Sequence, residues 1–132
     1  MPKSDAERVH WATEPAEHDY PAASAYLGLL LPLQRVAATV DALRKASVTH
    51  HRANDLLRAS GLPHLPPDNP SVARDLAKAR RGDALSPVLL VCGDLAAGRP
   101  LCIADGYHRV CASYHIDEDA DIPARMVDLP KG

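Results

Sequence analysis

Residues 87–92, with the sequence PVLLVC, constrain the fold more than any other part of the chain. This apolar run has the length of a strand and no alternation with polar residues, which is typical of a strand covered on both faces. A second short apolar run lies at residues 101–104, another strand is predicted at residues 122–129, and residues 47–53 give a weaker strand signal. The sequence therefore predicts an α/β (α+β) fold, in which a small mixed sheet has flanking helices.

Apolar spacing and capping residues predict where the helices lie. They fall at residues 21–31, 33–46, 54–59, 71–80 and 106–115. The charged residues near the start of the chain, together with Pro15, predict an extended N-terminal arm over residues 1–20. Residues 21–132 are predicted to form a single domain, made of a helical extension at 21–46 and a core at 47–129.

The composition argues against some classes of protein. Lys plus Arg number 15 against 17 Asp plus Glu, a formal net charge of −2, whereas nucleic-acid-binding proteins usually carry a basic surplus. The most apolar stretch, residues 27–33, contains Pro32 and is far shorter than the ~20 residues that a membrane-spanning helix needs. The first ten residues are polar, and three cysteines without a C-x-x-C pair suit a reducing compartment. We therefore expect a cytoplasmic protein with no membrane association, and a homodimer is compatible with the sequence.

The turn Asp105-Gly106-Tyr107-His108-Arg109 lies where a predicted strand runs into a predicted helix. The first turn of a helix has unpaired N–H groups and the positive end of the dipole, so it favours an anion. We predict that Gly106, Tyr107, His108 and Arg109 bind a phosphate, because Gly106 has no Cβ to block a ligand and Arg109 can grip one at two points. His108 is the predicted catalytic acid or base, and Asp105 is predicted to position the ligand or a metal ion. In the alternative interpretation, Asp105 only caps the helix and the other side chains are solvated.

The sequence around this turn resembles a known superfamily. The pattern D-G-Y-H-R-V-C-A at residues 105–112, the G-x-x-L-S-P-V approach at residues 82–88 and the strand beginning near Ile122 resemble the ParB/sulfiredoxin superfamily. The resemblance covers roughly residues 47–129. It implies that nucleotide phosphates bind at the amino end of the helix, in agreement with the interpretation of the turn itself.

Departures from the superfamily patterns indicate which branch of the superfamily the chain resembles. Sulfiredoxins have a catalytic cysteine where Tyr107 stands, so sulfinic reductase activity is not expected. Partitioning ParB proteins have paired arginines in the turn and a DNA-binding helix-turn-helix after it, whereas this chain has His108 and Arg109 and about 20 further residues. The Asp-Gly-x-x-Arg form is closer to the free-serine kinases of the superfamily, in which the acidic residue and the histidine help phosphoryl transfer.

The predicted function is binding of a nucleotide or phosphorylated small molecule at the turn, with phosphoryl transfer or hydrolysis as its enzymatic form. A phosphotransferase needs a further carboxylate. If the N-terminal arm folds over the site, Glu17 is the first choice and Glu14 the second; the alternative is a solvated arm. The spacing of histidines and cysteines predicts no metal site, and Mg²⁺ carried by a nucleotide is the cofactor that this interpretation allows.

A non-catalytic module that binds nucleic acid or a protein partner is the alternative function. The helix at residues 71–80 and its end carry a basic group, made of Arg74, Lys78, Arg80 and Arg81. A shallow basic surface with Trp11 or Tyr20 exposed would favour nucleic-acid binding. A deep pocket lined by carboxylates would favour an enzyme.

Overall fold

A computed structural model describes residues 9–129 of the chain. Its helices are α1 (Asp19–Leu27), α2 (Leu33–Lys45), α3 (Ala53–Ser60), α4 (Pro70–Arg80) and α5 (Tyr107–Ile116). Its strands are β1 (Val48–Arg52), β2 (Val88–Val91), β3 (Cys102–Asp105) and β4 (Asp121–Val127). The predicted α/β fold with a small mixed sheet is confirmed. Within residues 9–129, no helix is long and apolar enough to span a lipid bilayer.

Strand β2 lies inside the sheet, whose strand order is β1-β4-β2-β3. It runs parallel to β4 and antiparallel to β3, while β1 pairs antiparallel with β4. Leu89 is opposite Arg125 of β4, and Leu90 is opposite Ile103 of β3. All four residues of β2 are buried, which confirms the prediction of a strand covered on both faces.

Successive residues of β2 point to opposite faces of the sheet. All of them are apolar, so both faces are covered by helices. Val88 and Leu90 belong to one apolar core, to which α3, α4 and α5 contribute. Leu89 and Val91 belong to a second core, formed with α1 and α2. The segment predicted as a helical extension thus supplies the cover of one whole face of the sheet.

Helix α1 lies earlier in the chain than predicted, over Asp19–Leu27 instead of 21–31. The N–H groups of Leu30 and Leu31 both donate to the Leu27 carbonyl at 2.9 Å, which closes a tight turn before α2. This early start places Asp19 at the amino end of the helix, where a carboxylate is favoured by the helix dipole.

The start of α4 is determined by its capping residue. Asn69 Oδ1 accepts hydrogen bonds from the N–H groups of Ser71 at 3.0 Å and Val72 at 3.2 Å. Pro70 occupies the first helical position, where its missing N–H costs nothing. The buried side chains of Val72 and Leu76 then hold α4 on the core beside α5, so the residues between them on the helix border the amino end of α5.

Candidate functional site

The turn between β3 and α5 is shaped by a glycine that packs against the sheet. Gly106 has a φ of 109°, a conformation that residues with a Cβ rarely adopt. A Cβ at this position would lie 2.8 Å from Val88 Cβ and would overlap the Val88 side chain. The missing Cβ therefore makes room for Val88, a packing reason that the sequence did not reveal, and ligand binding at Gly106 stays a prediction.

Arg109 binds three separate segments of the chain. Its Nη2 lies 2.6 Å from Asp105 Oδ2, and its Nη1 lies 3.5 Å from Asp19 Oδ2. Nη1 also donates to the carbonyl of Ser86 at 2.5 Å, to its Oγ, and to the carbonyl of Pro87 at 3.3 Å. The side chain is only 12% exposed. The prediction that Arg109 clamps a phosphate would require the guanidinium to exchange one of these carboxylates for the ligand.

Asp19, at the start of α1, is the most heavily bonded carboxylate of the site. Its Oδ2 accepts hydrogen bonds from Ser86 Oγ at 2.7 Å and from the N–H of Ala16 at 3.0 Å. Its Oδ1 lies 3.4 Å from Nε2 of His18. The side chain of Asp19 is 6% exposed. It connects the N-terminal segment to Arg109 and to Ser86, which lies directly before β2.

Asp105, the last residue of β3, shares Arg109 with Asp19. The pKa of Asp105 is raised to about 6: burial contributes most, the neighbouring Asp19 carboxylate adds to the rise, and Arg109 opposes both effects. A carboxyl group with a pKa near neutrality can take up or release a proton under ordinary conditions. Asp105 is therefore the group of this turn that is best suited to proton transfer.

These side chains open into a cleft of about 480 Å³, which we call the acidic cleft. Within residues 9–129, its charged lining consists of Glu14, Asp19, Asp75, Asp105, Lys78 and Arg109, and His18 also lines it. Four carboxylates against two cations leave an excess of negative charge when every carboxyl group is ionised. Burial also raises the pKa of Asp75, while Arg109 and Lys78 oppose that effect.

His108, the predicted catalytic acid or base, is exposed and is not among the residues that line the acidic cleft. Its ring lies 5.6 Å from that of Tyr107, measured between centroids. The Tyr107 hydroxyl donates a hydrogen bond to the carbonyl of Pro63. Tyr107 thus attaches the proline-rich loop to α5, and neither side chain belongs to the group gathered around Arg109.

Two glutamates of the N-terminal segment are the predicted candidates for a further carboxylate, and the structure places the second choice, not the first, in the cleft lining. Glu17, the first choice, is 81% exposed and pairs with Arg44 of α2 at 2.7 Å, outside the lining of the acidic cleft. Glu14, the second choice, lines the cleft. The chain reaches this position because Ala12 donates to the carbonyl of Leu85 at 2.8 Å, which holds the arm along the approach to β2.

Sequence reasoning missed Asp75 and the role of Ser86. Asp75 lies inside a helix whose neighbouring residues are basic, so nothing in the local pattern distinguishes it. Ser86 is 23 residues from Arg109 in the chain, and only the pairing of β2 with β3 brings the two together. A polar residue directly before a buried strand was the one available signal.

The residues of the site do not form a metal cage by themselves. Across residues 9–129, no group of three or more His, Cys, Asp or Glu side chains is close enough to hold a metal ion. A divalent ion would therefore need part of its ligands from a bound molecule, as Mg²⁺ commonly does with phosphates.

In comparisons with known proteins, no family model, curated protein or solved structure matches this chain.

Proposed function

We propose that the acidic cleft binds the magnesium complex of a nucleotide or another phosphorylated small molecule, and that it catalyses phosphoryl transfer or hydrolysis. The observation that carries this proposal is the meeting of Asp19, Asp105 and Arg109 in a cleft at the amino end of α5. The first-turn N–H groups of α5 receive no side-chain cap, and such groups favour an anion.

The charge of the cleft supports a ligand that arrives with a cation. The excess of carboxylates would repel a bare phosphate, while a bound Mg²⁺ would offset it. Asp19 is the residue whose carboxylate would hold the ion, together with phosphate oxygens of the ligand. Bound there, Mg²⁺ would neutralise charge on the phosphate oxygens. Lys78, on the α4 side of the cleft, is the cation available for the remaining phosphate charge.

Asp105 is the proposed proton acceptor for the attacking hydroxyl group or water. Its raised pKa, about 6, lies close to the value at which a general base is both ionised and reactive near neutral pH. Arg109 acts as a positioning residue that holds Asp105 and Asp19 side by side. In the ParB/sulfiredoxin resemblance, which is part of this proposal, the Asp-Gly-x-x-Arg turn supplies both Asp105 and Arg109.

The alternative, a nucleic-acid-binding module, has less support. Tyr20 is buried and Trp11 is half-buried, so neither presents an open ring on which a base can stack. The cleft has more carboxylates than cations, which disfavours a polyanion. A pocket lined by carboxylates is the arrangement expected of an enzyme.

A thermal-shift screen of nucleotides and phosphorylated metabolites, with and without Mg²⁺, tests the proposal. A ligand at one hundred times its Kd raises the free energy of unfolding by about 2.7 kcal/mol, and this gain is expected only with Mg²⁺ present. Asp105→Asn and Lys78→Gln should reduce it. Their matched controls, Asp94→Asn and Lys45→Gln, alter exposed residues outside the cleft and should not.

Two results would contradict the proposal. One is the absence of stabilisation by any phosphorylated compound with Mg²⁺. The other is equal stabilisation of the wild type and of Asp105→Asn, which would place the binding site elsewhere. For a ligand that does bind, release of inorganic phosphate or transfer to an acceptor hydroxyl is then measured with the same variants.

A further inference from the structure

A second cavity, of about 400 Å³, lies at the opposite end of the β2–β3 pair from the acidic cleft. Aliphatic side chains from four parts of the chain line it, among them Leu27 at the end of α1, Leu30 in the next turn, Leu62 after α3, and Ile103 of β3. We call it the leucine cavity. Its size and apolar lining are typical of a pocket for a small molecule.

The rim of the leucine cavity exposes more apolar surface than folding alone requires. Leu30 is 58% exposed, and Tyr26, also in the lining, is 45% exposed. Leu29 beside them is 81% exposed. Single exposed leucines are ordinary, but a contiguous apolar patch beside a cavity marks a binding surface.

Among the described residues, 9–129, Arg99 is the one charged residue in the lining of the leucine cavity. It follows the β2–β3 turn, in which Asp94 and Arg99 pair through their backbones at 2.8 and 2.9 Å. The guanidinium of Arg99 makes no hydrogen bond or ion pair with any residue in the range 9–129. The hydroxyl of Ser60, also in the lining, already donates to the carbonyl of Leu57 at 3.0 Å. Charge recognition at this cavity therefore comes from Arg99.

We propose that the leucine cavity binds a single-chain amphiphile with one anionic head group. Its hydrocarbon chain would contact the leucines, and its head group would bind Arg99. A lone arginine complements one negative charge and repels a cationic head. An uncharged ligand of the same length would leave the guanidinium unused. This inference does not depend on the function proposed for the acidic cleft.

Two cysteines provide a direct test of occupancy, because Cys92 and Cys102 line the leucine cavity while Cys111 is buried in the other core. The full-length protein is alkylated with N-ethylmaleimide in the presence of decanoate, below its micelle concentration. Each site is followed by mass spectrometry, over long reaction times since burial raises the pKa of Cys102. Decanoate should slow alkylation of both lining cysteines. Decanol should protect less, and decyltrimethylammonium least.

Matched pairs of variants locate the two parts of the ligand. Arg99→Gln should weaken the protection by decanoate about tenfold, the effect of losing one charged contact, and should leave decanol unchanged. Arg80→Gln alters an exposed arginine of α4 that is outside the cavity lining and should have no effect. Leu30→Gln should weaken all ligands, whereas Leu33→Gln, at a residue that is 82% exposed and outside the lining, should not.

The same measurement distinguishes other occupants. Protection that rises with protein concentration, without ligand, would mean that a second copy covers the cavity. Protection by anionic vesicles but not by dissolved decanoate would mean a membrane surface. Either result would overturn the proposal, as would equal protection by decanoate and decyltrimethylammonium, or protection by decanoate that Arg99→Gln leaves unchanged.

Discussion

The two ends of the β2–β3 pair have the same backbone frame and opposite surface chemistry. Helix α1 packs along both ends: Asp19 at its start binds Arg109 in the acidic cleft, and Leu27 at its end lines the leucine cavity. At 1.5 Å per residue, roughly 12 Å separates these two positions along the helix. Each end has an arginine, but Arg109 is paired with carboxylates and Arg99 is not paired within residues 9–129. The comparison teaches that the neighbouring side chains, not the residue type, determine whether an arginine is held in ion pairs or is available to a ligand.

The largest expected effect comes from removing the charge of Arg109, and Arg99 provides the comparison. Arg109→Leu should lower the free energy of unfolding by about 3–5 kcal/mol, because it leaves the buried Asp19 and the half-buried Asp105 without their counter-charge. Arg99→Gln, at an exposed side chain, should change it by less than about 0.5 kcal/mol. Urea denaturation of both variants measures the difference. Similar losses at the two ends would contradict the distinction drawn between them.

The glycines of the two ends provide the next test. Gly106→Ala should cost about 2–4 kcal/mol, since a Cβ there adds overlap with Val88 to an unfavourable positive φ. Gly98, in the β2–β3 turn, has a φ of 72° with nothing within 4 Å of an added Cβ. Gly98→Ala should therefore cost only the conformational penalty, about 1–2 kcal/mol. Equal costs, measured by thermal or urea unfolding, would mean that Gly106 is not tightly packed.

Asp105, in the acidic cleft, gives the free energy of unfolding a pH dependence of known sign. Its pKa is raised from 3.8 to about 6 by folding, so the folded state holds the proton more tightly. The resulting stabilisation is complete below about pH 4 and is lost as the pH rises through 6, by at most about 3 kcal/mol. Asp105→Asn should lack this loss. The free energy of unfolding of the wild type, minus that of the variant, should therefore fall between about pH 4 and 7. A difference that stays constant over this range would contradict the raised pKa.

The sheet was predictable because its signal is local. Six consecutive apolar residues at 87–92 need no partner to be identified as a buried strand, and β2 is found there with both faces covered. Helix α4 was predicted from residue 71, one residue after its start, since Pro70 occupies the first helical position. Helix α1 was placed less well, since its end at Leu27 depends on a tight turn that no sequence pattern specified.

The candidate site was only partly predictable because it is assembled from distant segments. Asp105 and Arg109 are four residues apart on one turn, so the sequence alone could place them together, while the roles predicted for them stay predictions. Asp19 is 90 residues from Arg109 in the chain, so its contact depends on how α1 packs against β3. Glu17 and Asp19 are two residues apart in the chain. The sequence alone did not show that Glu17 pairs with Arg44 of α2 while Asp19 lines the cleft.

The smallest expected effect follows from this separation of Glu14 and Glu17. Glu17→Gln breaks an exposed ion pair with Arg44, so it should change the free energy of unfolding by no more than about 1 kcal/mol. It should also leave the Mg²⁺-dependent thermal shift of the proposed phosphorylated ligand unchanged, because Glu17 does not line the cleft. Glu14→Gln should reduce that shift, because it removes one carboxylate from the cleft wall. If Glu17→Gln weakened binding and Glu14→Gln did not, the cleft would have a different boundary, and the N-terminal arm would close over the turn by way of Glu17 instead.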